Sequence, residues 1–129
     1  MKIRIADNLP IVTAILNDNG VSLQFDNVLL DTGSAGTLFP FDLLRKHGIQ
    51  PPPNALIREM SGIGGGVEHV IEFHVESVTV GELYVTDFGI QAGNTDLGYE
   101  FNAILGFDFL LETKAAVDFA HMQIEQGEG

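Results

Sequence analysis

The chain has 129 residues, of which 45% are hydrophobic and 19% are charged, a composition that supports a folded core and excludes a disordered chain. Eighteen acidic residues against six basic ones give a net charge of −12 at pH 7, which disfavours binding to nucleic acid or to an anionic membrane surface. Because cysteine is absent, disulfides, thiolate nucleophiles and cysteine-based zinc sites are excluded. The length predicts one domain over residues 1–129.

The first third of the chain predicts short strands joined by tight turns. Residues 3–5 and 11–16 are apolar enough to form strands, and Asn-Asp-Asn-Gly at 17–20 is typical of a hairpin turn. Residues 21–25 alternate between apolar and polar side chains, as a half-buried strand does. A further apolar run at 28–30 ends immediately before an Asp-Thr-Gly tripeptide.

A brief helix is expected over residues 40–47, with Pro40 in its first turn and Gly48 at its end. Three consecutive prolines at 51–53 cannot continue a helix or a central strand, so they predict an extended surface connection.

A long hairpin with a glycine tip is predicted by residues 57–63 and 67–76, which flank three consecutive glycines. Side chains in the second arm alternate with a period of two, which disfavours a helix. His69 shares a face with apolar side chains and is expected to be partly buried and hydrogen-bonded. The opposite face carries Glu68, Glu72, His74 and Glu76.

The last third predicts a second hairpin, a polar loop, a buried apolar run, a short helix and a final pair of strands. These elements are expected at residues 78–80 with 83–85, 91–100, 103–106, 107–112, and 116–119 with 122–124. Strands therefore dominate, and the chain is expected to be mostly β.

The strongest candidate for chemistry is Asp31-Thr32-Gly33-Ser34. Asp31 directly follows an apolar strand, Gly33 permits close backbone approach, and the two hydroxyls can fix a carboxylate. Taken alone, the tripeptide favours a plain turn in which Asp31 binds its own backbone, because Asp-Thr-Gly often occurs by chance. A nucleophile elbow at Ser34 is excluded, because Thr32 occupies the position that requires glycine.

Two other groups of residues are disfavoured as functional sites. Glu72, His74 and Glu76 could hold zinc or manganese, but a solvated acidic strand face is the favoured interpretation. The glycines at 62–66 lack the further glycine of a dinucleotide fingerprint, since Val67 stands there, and no P-loop lysine follows.

Three features in a fixed order carry a resemblance to a known family. They are Leu30-Asp31-Thr32-Gly33, the glycine-tipped segment 61–66, and the apolar run 103–106 before the short helix. Together they resemble the retropepsin-like aspartic proteases, the single-lobe relatives of pepsin, and residues 104–110 look like the bacterial and cellular members. The resemblance implies a closed, β-barrel-like acid-protease fold with a flap hairpin and one or two short helices.

The resemblance also implies a mechanism. Pepsin-type enzymes carry two Asp-Thr-Gly copies in about twice the length, and this chain carries one. A C2 homodimer would place one Asp31 from each subunit on the symmetry axis, where the two carboxylates share a proton and activate a water. The implied activity is that of an aspartic endopeptidase on peptide or protein substrates, with no metal or cofactor.

Supporting roles follow from the same resemblance. Thr32 would form a hydrogen bond across the dimer, and the N–H of Gly33 would orient the carboxylate. The flap backbone at Ile63 and Gly64, with Gly33, would bind an extended peptide as an added strand. Apolar subsites would be lined by Leu29, Ala35 and Ile104, and Gly106 would let its strand pass close behind the active-site loop.

Departures from the family pattern are informative. Retroviral members usually pair an Asp, four residues after the catalytic one, with an Arg after the later glycine; here Ala35 and Phe107 stand at those positions. The flap also lacks the tyrosine of pepsin-type enzymes. Ser34 is predicted to donate its hydroxyl proton to Asp31, which would favour the charged carboxylate and a mildly acidic pH optimum.

Two alternative functions remain open from the residues: a catalytically inactive homodimeric peptide-binding or scaffold domain with the same fold, and a small metal-dependent hydrolase that depends on His74. Residues 1–10 show no apolar segment typical of a secretory signal, and no apolar run approaches ~18 residues. A cytoplasmic protein without membrane or nucleic-acid partners is expected.

Overall fold

The computed structural model describes residues 1–61, 67–96 and 98–128, and strands dominate these residues. The strands are β1 (Arg4–Ala6), β2 (Leu9–Asp18), β3 (Val21–Leu30), β4 (Leu38–Pro40), β5 (Leu56–Ser61), β6 (Val67–Val80), β7 (Leu83–Gly93), β8 (Ala103–Leu105), β9 (Ala115–Asp118) and β10 (Gln123–Gln126). The two short helices are α1 (Phe41–Lys46) and α2 (Phe107–Glu112). Neither of these six-residue helices is long enough to cross a lipid bilayer.

Six of the described strands close into a barrel, in the order β2-β3-β8-β4-β7-β6. The barrel closes where residues 15–17 of β2 pair with residues 77–79 of β6. β1 extends the sheet beside β2, and β5 extends it beside β6. β9 and β10 form a separate two-stranded sheet, which Lys2 joins through a bridge to Gln123. The expected mostly β, closed-barrel fold is confirmed.

The first hairpin joins β2 to β3 at the predicted turn. Asn19 and Gly20 both have positive φ angles, of 51° and 75°, as a tight two-residue hairpin turn requires. The two short strands predicted in 21–30 are one continuous strand, because a β-bulge absorbs the break in alternation. Val12 pairs with Val28 and Ala14 with Phe25, so that two residues of β3 lie opposite a single residue of β2.

The second half of the chain departs from the prediction in strand length. β6 runs unbroken to Val80, so the predicted strands at 67–76 and 78–80 are one. β7 continues to Gly93, into a segment predicted to be loop, because it pairs with β6 on one side and in parallel with β4 on the other. The predicted glycine tip, residues 62–66, lies outside the described residues.

The prediction for His69 was wrong. Its side chain is 64% exposed, and its Nε2 lies 3.6 Å from the Glu59 carboxylate. Val70 is buried in its place, because it packs over Gly93 of β7, where an added Cβ would lie 2.9 Å from the Val70 methyl. Strict alternation therefore breaks in β6 between Val70 and Phe73, which lie three residues apart and are both buried.

Aromatic side chains form much of the core inside the barrel. Phe25 and Phe39 are fully buried with ring centroids 5.0 Å apart, and Phe88 meets Phe109 of α2 edge to face at 5.8 Å. α2 thus packs against the barrel through the buried Phe109, while Phe107 in the same helix stays half exposed.

Replacing Phe39 with alanine tests this core. We expect Phe39→Ala to lower the free energy of unfolding by about 3–5 kcal/mol, because it removes a fully buried ring and leaves a cavity against Phe25. Urea denaturation measures the loss. The matched control is Phe119→Ala, whose ring is 56% exposed and whose removal should cost no more than about 0.5 kcal/mol. Equal losses in the two variants would contradict this assignment of the core.

Candidate active site

Asp31 lies at the end of β3, where the barrel fixes its backbone. β3 pairs in parallel with β8, and the Asp31 N–H continues this pairing by donating to the Leu105 carbonyl at 3.0 Å. The chain then turns sharply, and Ser34 N–H donates to the Asp31 carbonyl at 3.1 Å. Gly33 N–H donates to Asp31 Oδ1 at 3.0 Å, the hydrogen bond expected from the resemblance. The partly exposed carboxylate is therefore held at a rigid strand end.

Gly106, directly after β8, packs against the loop that follows Asp31. An added Cβ at Gly106 would lie 2.6 Å from the Gly36 carbonyl carbon and 2.9 Å from the Ser34 oxygen, so no larger residue fits without moving the backbone. The next N–H, that of Phe107, donates to the Ser34 carbonyl at 2.7 Å. The start of α2 thus packs against the loop that follows Asp31 and supports it.

Asp108 is a supporting residue that the sequence analysis missed. Its two carboxylate oxygens accept hydrogen bonds from Thr37, from the hydroxyl at 2.7 Å and from the backbone N–H at 3.3 Å. The Thr37 hydroxyl oxygen in turn accepts from Gly106 N–H at 3.1 Å, and Thr37 is fully buried. A signal was present, since Asp108 is the only charged residue in the apolar run 103–111.

The prediction that Ser34 donates to Asp31 was wrong. The Ser34 hydroxyl donates its single proton to the Gly36 carbonyl at 2.8 Å, because the loop folds back within two residues and brings that oxygen into reach. Ser34 therefore braces the loop, and the acidic pH optimum inferred from a Ser34–Asp31 bond loses its structural basis.

The remaining expected site residues near Asp31 differ in how far they are exposed to solvent. Leu29 and Ile104 are direct partners in the β3–β8 register and are both half-buried. Thr32 and Ala35 are exposed on the loop, with the backbone of Gly33 between them. The two flap residues of the expected set, Ile63 and Gly64, lie outside the described residues.

A cleft of about 590 Å³ opens beside the active-site loop, although Asp31 itself does not line it. It lies between the loop, the segment before β5, and the strands β6 and β7. Its lining includes Ala35, Gly36, Asn54, Leu56, Glu72, His74, Gln91 and Asp108. Hydrogen bonds from Gln91 and then from Arg58 lower the pKa of Glu72 against the opposing effect of burial.

The acidic face of β6 is engaged in pairwise contacts. Glu72 Oε2 accepts from Arg58 Nε at 2.6 Å, and His74 Nδ1 lies 3.0 Å from the Asp87 carboxylate. Over residues 1–61, 67–96 and 98–128, no three histidine, aspartate or glutamate side chains are grouped as metal ligands would be. A metal site at Glu72, His74 and Glu76 thus gains no support.

Comparison with known proteins is consistent with this geometry. A family model described as "Aspartyl protease" matches residues 12–109, while no curated protein shows significant sequence similarity to the chain. A crystal structure of a retropepsin-like aspartic protease from Rickettsia conorii superposes with a TM-score of 0.61 and 19% identity, covering 91% of this chain and 82% of that one. The retroviral protease-like domain of Ddi1 from Leishmania major superposes with a TM-score of 0.58 and 15% identity, covering 90% of this chain and 87% of that one.

At these identities the two structures show a shared retropepsin-like fold and no more. The family model spans the barrel from β2 to α2, including Asp31, the loop that follows it and Asp108. Since that match covers well over half of the residues, the chain belongs to the aspartyl protease family.

Proposed function

We propose that this protein is an aspartic endopeptidase that works as a homodimer, with the two Asp31 carboxylates as its catalytic pair. The observation that carries the proposal is the single Asp-Thr-Gly whose carboxylate is partly exposed at the end of β3 and bound by Gly33 N–H. One such loop supplies half of an aspartic protease site, so a second copy must supply the other half.

Two carboxylates brought within about 3 Å cannot both be ionised, so they share one proton and titrate as a pair, as is general for aspartic proteases. The ionised Asp31 takes a proton from a water held between them, while the protonated one polarises the carbonyl of the scissile peptide bond. The water oxygen bonds to the carbonyl carbon, and the leaving amine then receives a proton from the pair as the C–N bond breaks. This chemistry uses no metal and no covalent intermediate.

The resemblance to the retropepsin-like proteases implies how a substrate would bind. An extended peptide would lie over the loop, with main-chain hydrogen bonds to Gly33 and to the flap residues Ile63 and Gly64. Leu29 and Ile104, adjacent and half-buried, would contact apolar side chains of the peptide, as would Ala35. Because each chain carries a net charge of −12, basic or neutral peptides are expected to associate faster than acidic ones.

Asp31→Asn is the direct test of the catalytic pair. We expect it to lower peptidase activity by about 10²- to 10⁴-fold, because an amide cannot act as general base or share the proton, while secondary structure is retained. Cleavage of a diverse peptide mixture, followed by mass spectrometry, measures the loss. Asp26→Asn is the matched control, since Asp26 is exposed on the same strand and should leave activity unchanged.

The alternatives give different results in the same assay. A chelator should not affect activity, whereas the metal-dependent alternative would require loss with chelator and with His74→Ala. A dimer that binds peptides but cleaves none, in wild type as in Asp31→Asn, would replace the endopeptidase with the peptide-binding alternative.

Subunit mixing tests the shared site. Wild-type chains unfolded together with an equal amount of Asp31→Asn chains and then refolded should show about half the activity of wild type refolded alone, because random pairing places half of the active chains in mixed dimers. The measurement is initial rate at a fixed amount of wild-type chain, with Asp26→Asn chains as the control. Unchanged activity in the mixture, with a monomeric mass in solution, would contradict a dimeric site.

Asp108 should matter through the loop that it holds. Asp108→Ala leaves the buried Thr37 N–H and hydroxyl without their acceptor, so we expect a loss of about 1–3 kcal/mol in unfolding free energy together with reduced activity. Asp108→Asn keeps one acceptor oxygen and should fall between Asp108→Ala and wild type in both measurements. Wild-type stability in Asp108→Ala would show that these hydrogen bonds do not anchor the loop.

A further inference from the structure

We propose that Arg58, Glu72 and Gln91 form a polar strut that fixes the arms of the flap hairpin, β5 and β6, against the active-site loop, and that Gln91 is a positioning residue for peptide binding. The strut itself is inferred from contacts among the described residues. Its consequence for peptide binding rests on the proposed function.

The first contact of the strut joins the two arms of the hairpin. Arg58 of β5 donates from Nε to Glu72 Oε2 of β6 at 2.6 Å. The two residues are diagonal neighbours, since the Cα partner of Glu72 in β5 is Leu56. The glutamate side chain is the more buried of the two, at 28% exposure against 57% for the arginine. An ion pair of this kind is strengthened when other bonds hold one partner in place.

The second contact extends the strut from the hairpin to β7. Gln91 lies directly opposite Glu72 in the β6–β7 register and donates from Nε2 to Glu72 Oε1 at 3.0 Å. A carboxylate only accepts hydrogen bonds, so the amide nitrogen of Gln91 must face it. Both oxygens of Glu72 are thus used, each by a different neighbouring strand.

The third contact brings the strut onto the active-site loop. The end of the Gln91 side chain lies over the Cα of Gly36, where an added Cβ would be 2.6 Å from Oε1 and 2.7 Å from the amide carbon. The Gln91 backbone N–H donates to the Thr37 carbonyl at 2.9 Å, so both its side chain and its main chain contact the loop. Gly36 also accepts the Ser34 hydroxyl, which links this point to the turn that carries Asp31.

The unsatisfied oxygen of Gln91 indicates that the bond to Glu72 is the reason for a glutamine here. Its Oε1 is buried and has no hydrogen-bond partner among the residues that the structure describes. A buried acceptor without a donor is unfavourable, and an apolar side chain of similar size would pack on Gly36 without that cost. The hydrogen bond from Gln91 Nε2 to Glu72 therefore explains why an amide stands at this position. The same carboxylate binds Arg58 in β5, the other arm of the hairpin.

Amide hydrogen exchange of Gln91→Met tests the strut without any need for catalysis. Methionine keeps the length of the side chain and removes the donor to Glu72. We expect faster exchange in β5, in residues 69–76 of β6 and in residues 33–38 of the loop, with exchange in β9 and β10 unchanged. Glu59→Gln is the matched control, since it removes an exposed carboxylate from the same hairpin arm and should leave all these segments as in wild type.

Gly36→Ala tests the contact between the strut and the loop. Its methyl group occupies the place of the Gln91 side chain, which must swing away and release Glu72. It should therefore reproduce the exchange pattern of Gln91→Met, and the double variant should show no further increase, because both changes break the same contact. Full additivity, no change in the hairpin arms, or a uniform rise that includes β9 and β10 would each overturn the strut.

Steady-state kinetics then tests the effect on peptide binding. We expect Gln91→Met to raise KM by about two- to tenfold, the size of one hydrogen bond, with a smaller change in kcat, because the flap contacts bound peptide rather than the reacting atoms. A lowered kcat with unchanged KM would overturn the positioning role. If wild type cleaves no peptide, the endopeptidase proposal fails while the exchange experiment still decides whether the strut exists.

Discussion

The candidate site depends on the close backbone contact between the loop after Asp31 and the start of α2. Two extended segments, β3 and β8, run side by side, and their continuation past the sheet is possible only because Gly106 has no side chain. Main-chain hydrogen bonds from Asp31 to Leu105 and from Phe107 to Ser34 then tie the loop on both sides of the carboxylate. The position of Asp31 is thus set by main-chain hydrogen bonds, and these depend on the missing side chain at Gly106.

A side-chain contact between the loop and α2 lies next to the positions at which retroviral enzymes of the family are expected to carry an ion pair. Ala35 and Phe107 stand where those enzymes are expected to carry Asp and Arg, but Thr37 and Asp108, each one or two residues further on, join the same loop to the same helix. In place of an ion pair, the Asp108 carboxylate accepts hydrogen bonds from Thr37, which is fully buried. Hydrogen bonds that a buried donor makes to a carboxylate contribute more to stability than most exposed ion pairs do.

The sequence predicted the elements that depend on local chemistry and failed where tertiary pairing decides. The turn at Asn19-Gly20 and helix α1 follow from glycine and proline preferences that act within a few residues, whereas the role of Gly106 came from the resemblance to a known family. The length of β7 beyond Ile90 does not follow from such preferences, because it comes from pairing with β4, a strand more than fifty residues earlier in the chain. His69 and Ser34 were misplaced for a similar reason: alternation and spacing say which atoms are close, but not which of two neighbouring acceptors or faces the folded chain selects.

Two separate sets of contacts reach the loop after Asp31, one made by the backbone and one made by side chains of the hairpin β5–β6 and of β7. Backbone hydrogen bonds and a glycine contact hold Asp31, and they do not involve the hairpin. The hairpin reaches the same loop through side chains, from Arg58 to Glu72 to Gln91, that lie across three strands and end on Gly36. Side-chain bonds can break singly as the arms move, whereas the backbone pairing under Asp31 is part of the barrel. If the protein is the endopeptidase proposed above, a rearrangement of the hairpin arms would therefore alter peptide binding without displacing Asp31.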